Sequence, residues 1–331
     1  MNAAAPLLEI RGLHAGISGT SDHVGILRDV ALSIRPGEMV GVVGESGSGK
    51  SMTALSVLGL LPPAVRVTAG SVLFDGQDLA TASARTLRAV RGRRIGMIFQ
   101  DPMTTLDPVV RVGRQIEEAY RIHHPRASRA EARERAAAVL DLVGVPDVRE
   151  RMRQYPHQWS GGMRQRAVIA MALVNDPELL IADEPTTALD ATIQAQVLEV
   201  LARAREQLGV AIMLITHDLG VVAQYADRVV VMYAGQMMES ASTGELFDDC
   251  RHPYSKALIR SRPSLAEPGA PLATIPGQPP SLDQLPTGCP FAPRCTAPYR
   301  SERCATETTA LKASIDGRLS ACHYRDIRED A

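Results

Sequence analysis

Gly44-Glu45-Ser46-Gly47-Ser48-Gly49-Lys50-Ser51 fills every fixed position of the pattern G-x-x-x-x-G-K-[ST], and its surroundings decide how it is read. Met39-Val40-Gly41-Val42-Val43 before it predicts a buried strand. Ala54, Leu55, Leu58 and Leu61 after it space out the apolar face of a helix expected to run to Pro62-Pro63. A strand, a glycine-rich turn and a helix in that order form a phosphate cradle. Glycines let backbone N–H groups converge on phosphate oxygens, and the helix N-terminus adds partial positive charge. Lys50 is then placed to reach the β- and γ-phosphates and Ser51 to ligate Mg²⁺, with Met52 the next residue of the helix. The stretch predicts a nucleotide site.

Composition limits what surrounds it. The chain has 331 residues, 45% hydrophobic and 22% charged, which is room for about two domains with a substantial core. A formal net charge of −1 argues against bulk binding to nucleic acid. Apolar runs such as Leu179–Ala182 and Val229–Met232 are far too short to span a bilayer, and Met1–Pro6 has neither the basic nor the apolar region of a signal peptide. A cytoplasmic location is expected, with any membrane role exercised through a partner.

Outward from the loop, strands are predicted at Leu7–Leu13, Gly25–Ile34, Gly70–Phe74 before an Asp75-Gly76 turn, Arg94–Phe99, Leu179–Ala182, Val210–Thr216 and Val229–Met232. From Asp101 to about Ser160 the pattern is helical, with a capping box at Ser128-Arg129-Ala130-Glu131, Leu140 and Val143 on the helix and Gly144 at its end. Asp190–Leu208 reads as an amphipathic helix stopped by Gly209. Alternating strands and helices predict an α/β fold with a parallel sheet, interrupted by a helical insertion. Pro263, Pro268, Pro271, Pro276, Pro279, Pro280 and Pro286 predict a wrapped, mostly irregular tail.

Several features can serve the nucleotide. The strand Leu179–Ala182 ends in Asp183 and Glu184, suited to bind Mg²⁺ and to polarise an attacking water as general base. Alone, such a pair is as often a surface turn; downstream of a full phosphate loop it predicts hydrolysis. Gln100 and His217, each at a strand end, can sense Mg²⁺, water and γ-phosphate, although isolated residues of these types are ordinarily just solvated. Ser160-Gly161-Gly162-Met163 opens a second helix with a serine cap and two glycines, an anion-ready terminus with no phosphate of its own.

These motifs, in the order phosphate loop, Gln100, Trp159-Ser160-Gly161-Gly162-Met163, Leu180–Glu184, Ala188-Leu189-Asp190 and His217, resemble the ABC transporter ATPases across roughly residues 7 to 245. Gln100–Pro108, Tyr155-Pro156-His157-Gln158 and His252–Leu258 are similar to the ATP-binding subunits of oligopeptide/dipeptide and nickel importers. The resemblance implies a RecA-like core with an antiparallel β subdomain and an inserted helical subdomain at about 101–165, all within residues 1–245, then a cysteine-bearing extension at 246–331. It implies a head-to-tail ATPase dimer, with Ser160, Gly161, Gly162 and Met163 reaching the nucleotide on the partner chain and Asp190 organising the interface. The partner ATPase is expected to be a paralogue. Two permease subunits dock a cytoplasmic helix on the insertion, including Asp101–Pro108, and an extracytoplasmic binding protein delivers cargo. The location implied is the cytoplasmic face of the cell membrane. Two departures stand out: Trp159 opens the signature where many relatives carry Leu or Phe, and between Leu7 and Val43 only His14 and His23 could stack on adenine.

An alternative ABC ATPase acting on nucleic acid or the ribosome fits less well, because the insertion of roughly 60 residues is too short for a coiled-coil arm. Of five cysteines, Cys250 reads as a buried thiol and four form Cys289-x5-Cys295-x8-Cys304-x17-Cys322. Spacing alone leaves zinc, an iron–sulfur cluster and buried thiols open. The family resemblance implies a structural [4Fe–4S] cluster, with Zn²⁺ second, beside ATP and Mg²⁺.

Overall fold

The computed structural model describes residues 5–17, 24–100, 105–187, 190–262, 273–282 and 284–327. Asp101–Thr104 of the proposed docking stretch, Ala188-Leu189, His23, Pro263, Pro268 and Pro271 lie outside the described residues. In chain order the elements are β1 (Leu8–Ile17), β2 (Gly25–Ile34), β3 (Met39–Val43), α1 (Lys50–Val57), β4 (Val65–Phe74), β5 (Gln77–Asp78), α2 (Ala84–Val90) and β6 (Ile95–Ile98). Then come α3 (Val112–His123), α4 (Arg129–Leu142), α5 (Val148–Arg151), α6 (Gly161–Leu173), β7 (Leu179–Asp183), α7 (Ala191–Leu208) and β8 (Ala211–Ile215). The remainder is α8 (Leu219–Tyr225), β9 (Arg228–Tyr233), β10 (Gln236–Ser242), α9 (Thr243–Asp249), α10 (Pro253–Arg260), α11 (Arg303–Thr306), β11 (Lys312–Ala313) and β12 (Leu319–Ser320).

Two compact units interleave along the chain. The first takes Met1–Leu7, Ile34–Met39 and Ala82–Ile215, the second Leu8–Ser33, Val40–Thr81 and Thr216–Ala331. In the first unit β6, β7 and β8 are parallel, in the registers Ile95↔Leu179 and Leu179↔Ala211, and β7 and β8 are buried at every position. Such doubly covered strands read as unbroken apolar runs, which is how the sequence shows them. The helical block follows as α3, α4, α5 and a short 3₁₀ turn at Pro156–Gln158, with Val112, Ile116, Val139 and Leu140 buried.

In the second unit β2, β1, β4 and β5 form an antiparallel sheet in that order. Asp75 and Gly76 both sit at positive φ, 49° and 77°, which is the type I′ geometry of a two-residue hairpin. β3 runs parallel to β9, which pairs antiparallel with β10. Short strands from the tail, β12 and β11, extend that edge. Val43, Val229, Val231 and Tyr233 share one buried cluster with Tyr254, Cys289, Phe291, Cys304 and Ala321. The described part of the proline-rich stretch, 273–282 and 284–288, carries no helix or strand, as its prolines predict, while the segments flanking it are packed into the core. The tail's buried side chains complete the core on which the phosphate-loop strand rests, from about 0.8 kcal/mol for the Ala321 methyl to about 3 kcal/mol for Phe291.

Helix ends follow local chemistry. α1 stops at Val57, a turn short of the expected Pro62-Pro63. Gly59, at φ 60°, donates to Ser56 O and Leu60 N donates to Leu55 O, a Schellman closure that ends the helix before the prolines are reached. Gly144 and Val145 repeat the device after α4, with Val143 as the cap rather than a helical residue. Ser128 accepts from Glu131 N and so caps α4 as its sequence predicts. Cys250 is half-buried, not fully buried, and its surroundings push the thiol up to about 12 by burial. Among the described residues no helix is long and apolar enough to cross a membrane.

Candidate functional site: a phosphate loop and a carboxylate turn

In the second unit β3 delivers the chain into the loop and α1 leaves it. Gly44 adopts φ 153°, and a Cβ there would stand 2.1 Å from Met232 O, so no side chain fits. Gly49 is the N-cap of α1 at φ 103°, and no side chain caps that helix. Its first turn carries no acidic residue, so no carboxylate there offsets the positive end of the helix dipole. Lys50, only 5% exposed, donates from Nζ to Gly44 O at 2.9 Å, to Glu45 O at 3.0 Å and to Ser48 Oγ at 3.4 Å. The ammonium thus lies over the loop it belongs to. Ser48 N donates to Glu45 O, and Gly235 N donates to Ser48 O, fixing the turn from outside. His217 is exposed beyond Thr216, whose N–H donates to Val42 O and whose Oγ1 accepts from Asp218 N.

In the first unit β7 ends in Asp183, 4% exposed, and the chain then turns at Glu184 through φ 47°. A left-handed backbone on a glutamate costs of order 1–3 kcal/mol and persists only where the surroundings hold it. Here Glu184 N donates to Ile215 O, Thr187 N donates to Glu184 O, and Thr187 Oγ1 donates to Glu184 Oε2 at 2.9 Å. Gln100 Nε2 donates to the same oxygen at 3.3 Å, a contact between residues 84 positions apart that the sequence reading does not anticipate. The twist at Glu184 has no sequence signal, since carboxylates at strand ends ordinarily take extended backbone.

The Ser-Gly-Gly helix start is also built in this unit. Ser160 caps α6 by accepting from Met163 N at 3.3 Å, and both Ser160 and Asp190 are exposed. Gly162 lets α6 approach α7: a Cβ on it would meet Ile193 Cγ2 at 2.9 Å. Asp190 is the N-cap of α7, accepting from Ile193 N at 3.0 Å, so it has a local structural duty in addition to any at an interface. Gln165, fully buried, donates to Pro185 O at 2.7 Å and ties this helix to the turn after Glu184. Trp159 is buried as an apolar anchor. Among planar candidates for the base, His14 lies half-buried on β1.

The four tail cysteines are free thiols that line one small cavity with His252, Phe291, Thr309 and Tyr324. Burial raises Cys289 to about 11 and Cys322 to about 12. Two buried polar atoms on the same wall, His252 Nε2 and Thr309 Oγ1, have no hydrogen-bond partner among the described residues. No group of three or more His, Cys, Asp or Glu that could hold a metal ion occurs among those residues. A single zinc would draw its sulfurs to about 2.3 Å from one centre, and this arrangement does not supply that.

Comparison with known proteins places these features in a family. A model described as ABC transporter matches residues 27–187, and one described as oligopeptide/dipeptide transporter, C-terminal region, matches 238–304. The chain is 47% identical to the dipeptide transport ATP-binding protein DppD of Bacillus subtilis over 325 residues, covering 98% of this chain and 96% of that protein. It is 49% identical over 320 residues to the oligopeptide transport ATP-binding protein OppD of Mycobacterium tuberculosis, covering 96% of this chain and 52% of that protein. The chain thus spans about half the length of that relative. Among solved structures, a dimeric ATP-binding cassette in a post-hydrolysis state bound to ADP and Pi matches with a TM-score of 0.63 and 27% identity, covering 71% of this chain and 98% of that one. The cbiO1 subunit of an ABC transporter complex from Clostridium perfringens matches at 0.64 and 27%, covering 74% of this chain and 92% of that one.

Proposed function

The chain belongs to the ABC transporter family, in its oligopeptide/dipeptide branch, and on that premise we propose that it is the ATP-binding and ATP-hydrolysing subunit of a di- or oligopeptide importer. Lys50 and the backbone of Gly44–Ser51 hold the phosphates. Ser51, Gln100 and Asp183 serve Mg²⁺, which supplies charge neutralisation at the phosphates when bound. Glu184 takes the proton of the attacking water, and His217 donates to the γ-phosphate. The observation that carries hydrolysis is Glu184 itself, set on a left-handed backbone with one carboxylate oxygen accepting from both Gln100 and Thr187. A carboxylate fixed in this way is pre-aimed for proton transfer, a contribution of roughly 10²–10⁴ in rate. Glu184→Gln is therefore expected to retain MgATP binding and to lose turnover by about 1,000-fold in the purified transporter complex. Hydrolysis within a few-fold of the parent would remove Glu184 from the role.

Ser160–Met163 and Asp190 act in this reading on the nucleotide of a second ATPase subunit, a paralogue, in a head-to-tail dimer at the cytoplasmic face of the membrane. The helical block offers the surface for a permease helix: a groove between α3, α4 and the segment before Ser160 is lined by Arg111, Arg114, Arg121 and Tyr155, with Val109 and Ile122 78% and 68% exposed at its edge. Cargo is delivered by an extracytoplasmic binding protein and never meets this chain, so peptide rather than nickel rests on kinship with the peptide transporters. Affinity purification from membranes tests it: permeases and a binding protein that takes up peptides are expected, and co-purification of ribosomes or DNA would reverse the reading.

For the tail we read the four-sulfur cavity as the seat of a structural [4Fe–4S] cluster, which Cys289, Cys295, Cys304 and Cys322 would hold. The two orphaned polar atoms in the cavity wall support a group filling it. A brown chain whose broad visible absorbance is lost in Cys289→Ser is expected. A colourless chain carrying stoichiometric zinc would overturn it.

A further inference from the structure

The phosphate loop has a partner that its own motif does not specify. Arg294 closes the short 3₁₀ turn Ala292–Arg294, between Cys289 and Cys295, and its side chain is 5% exposed. Its guanidinium forks onto the Glu45 carboxylate, Nη1 donating to Oε2 at 2.6 Å and Nη2 to Oε1 at 3.0 Å. Nε donates to Pro276 O at 2.9 Å, and Nη1 also donates to Tyr233 OH at 3.2 Å. The Glu45 carboxylate beside it holds the guanidinium pKa above its ordinary value. From the other side the Glu45 backbone N–H donates to Tyr254 OH at 3.0 Å, and Tyr254 packs with Tyr233 and Phe291. Glu45 O is the acceptor for both Lys50 Nζ and Ser48 N. One residue of the loop is thus gripped at side chain and amide by the tail, while its carbonyl anchors the phosphate-binding lysine.

We propose that Arg294, with Tyr254, is a positioning residue for nucleotide binding: the tail holds Glu45, and through it the curvature of Gly44–Ser48 and the resting place of Lys50. A bidentate arginine–carboxylate pair is stronger and more directional than a lysine contact, and a buried arginine deprived of its carboxylate is costly to leave in place. The turn that carries Arg294 is fixed by the cysteine cavity: Cys289 N donates to Cys304 O at 2.8 Å, and Ala292 N donates to Cys289 O at 2.9 Å. The tail therefore meets Glu45 at two points, the Arg294 guanidinium on its carboxylate and the Tyr254 hydroxyl on its backbone N–H.

This inference rests on Gly44–Ser51 being a nucleotide site, and the test separates the two. MgATP and MgADP affinities of the full chain are titrated with fluorescent analogues for the parent, Arg294→Gln, Glu45→Gln, the double variant, Arg294→Lys and Tyr254→Phe. A parent that binds neither nucleotide defeats the nucleotide reading. With a binding parent, Arg294→Gln is expected to weaken both nucleotides about ten-fold, because the loop cradles phosphates common to both. The double variant should be no worse than the worse single one, since either change breaks the same contact. Arg294→Lys should recover part of the loss, and Tyr254→Phe should give a smaller loss while keeping its packing. The proposal is overturned by unchanged affinity in Arg294→Gln, by losses that multiply in the double variant, or by a loss confined to MgATP. If Arg294→Gln does not fold, Tyr254→Phe and Arg294→Lys decide, and parent-like affinity in both overturns the proposal.

Discussion

Two helices of this chain begin with glycine next to an anion-ready terminus, and they are provisioned in opposite ways. α1 starts at Gly49 with no side-chain cap, a lysine as its first residue and a loop bent through three positive-φ glycines. α6 starts at Ser160, whose own hydroxyl satisfies Met163 N, and its first turn brings no acidic residue and no lysine. The first terminus has no side-chain cap and supplies a cation of its own. The second is satisfied by its own serine and suits a phosphate already held elsewhere. The same backbone physics therefore yields a primary site in one place and an accessory one in the other.

The contrast breaks first at Lys50. Lys50→Ala should lower MgATP affinity of the full chain by about 100-fold or more, since the buried charge that meets the phosphates is removed. An affinity within three-fold of the parent would make the two termini equivalent. Gly162→Ala tests why the second terminus keeps its glycines. The added methyl meets Ile193 at 2.9 Å, and overpacking of this kind costs about 1–3 kcal/mol, read as a lower midpoint in urea. Ser160→Ala should cost about 1 kcal/mol as a lost cap, and MgATP affinity measured on the single chain should not change. A parallel loss of affinity would mean that this serine serves the chain's own nucleotide and not a neighbour's.

Legibility followed range. The strand, loop and first turn of α1 were readable because each residue's duty is local. Asp190 and Gly209 were equally readable as start and stop of α7. The early end of α1 was missed because the prolines were a louder signal than Gly59, whose left-handed turn closes the helix first. Gln100 and Glu184 were each legible as strand-end residues, whereas their contact and the twisted backbone that aims Glu184 leave no trace in residue type. The tail was least legible. Arg294 and Glu45 are 249 positions apart, and nothing near either residue announces the other. Cysteine spacing gave the cluster of thiols but not its place in the core beneath the phosphate-loop strand.

That shared core has a consequence for how the protein is made. Val43 packs in the same buried cluster as Cys289, Phe291, Cys304 and Ala321, so the strand that launches the phosphate loop meets its last neighbours only when the distal tail has emerged from the ribosome. At roughly 5–20 residues per second the wait is on the order of 10–50 s. During that interval β3 is a hydrophobic segment without its floor, and the loop above it lacks the latch at Glu45. Competence to grip a nucleotide then waits until the cysteine turn has been made, and a chain interrupted short of that turn would be an unfinished fold before it was an inactive enzyme.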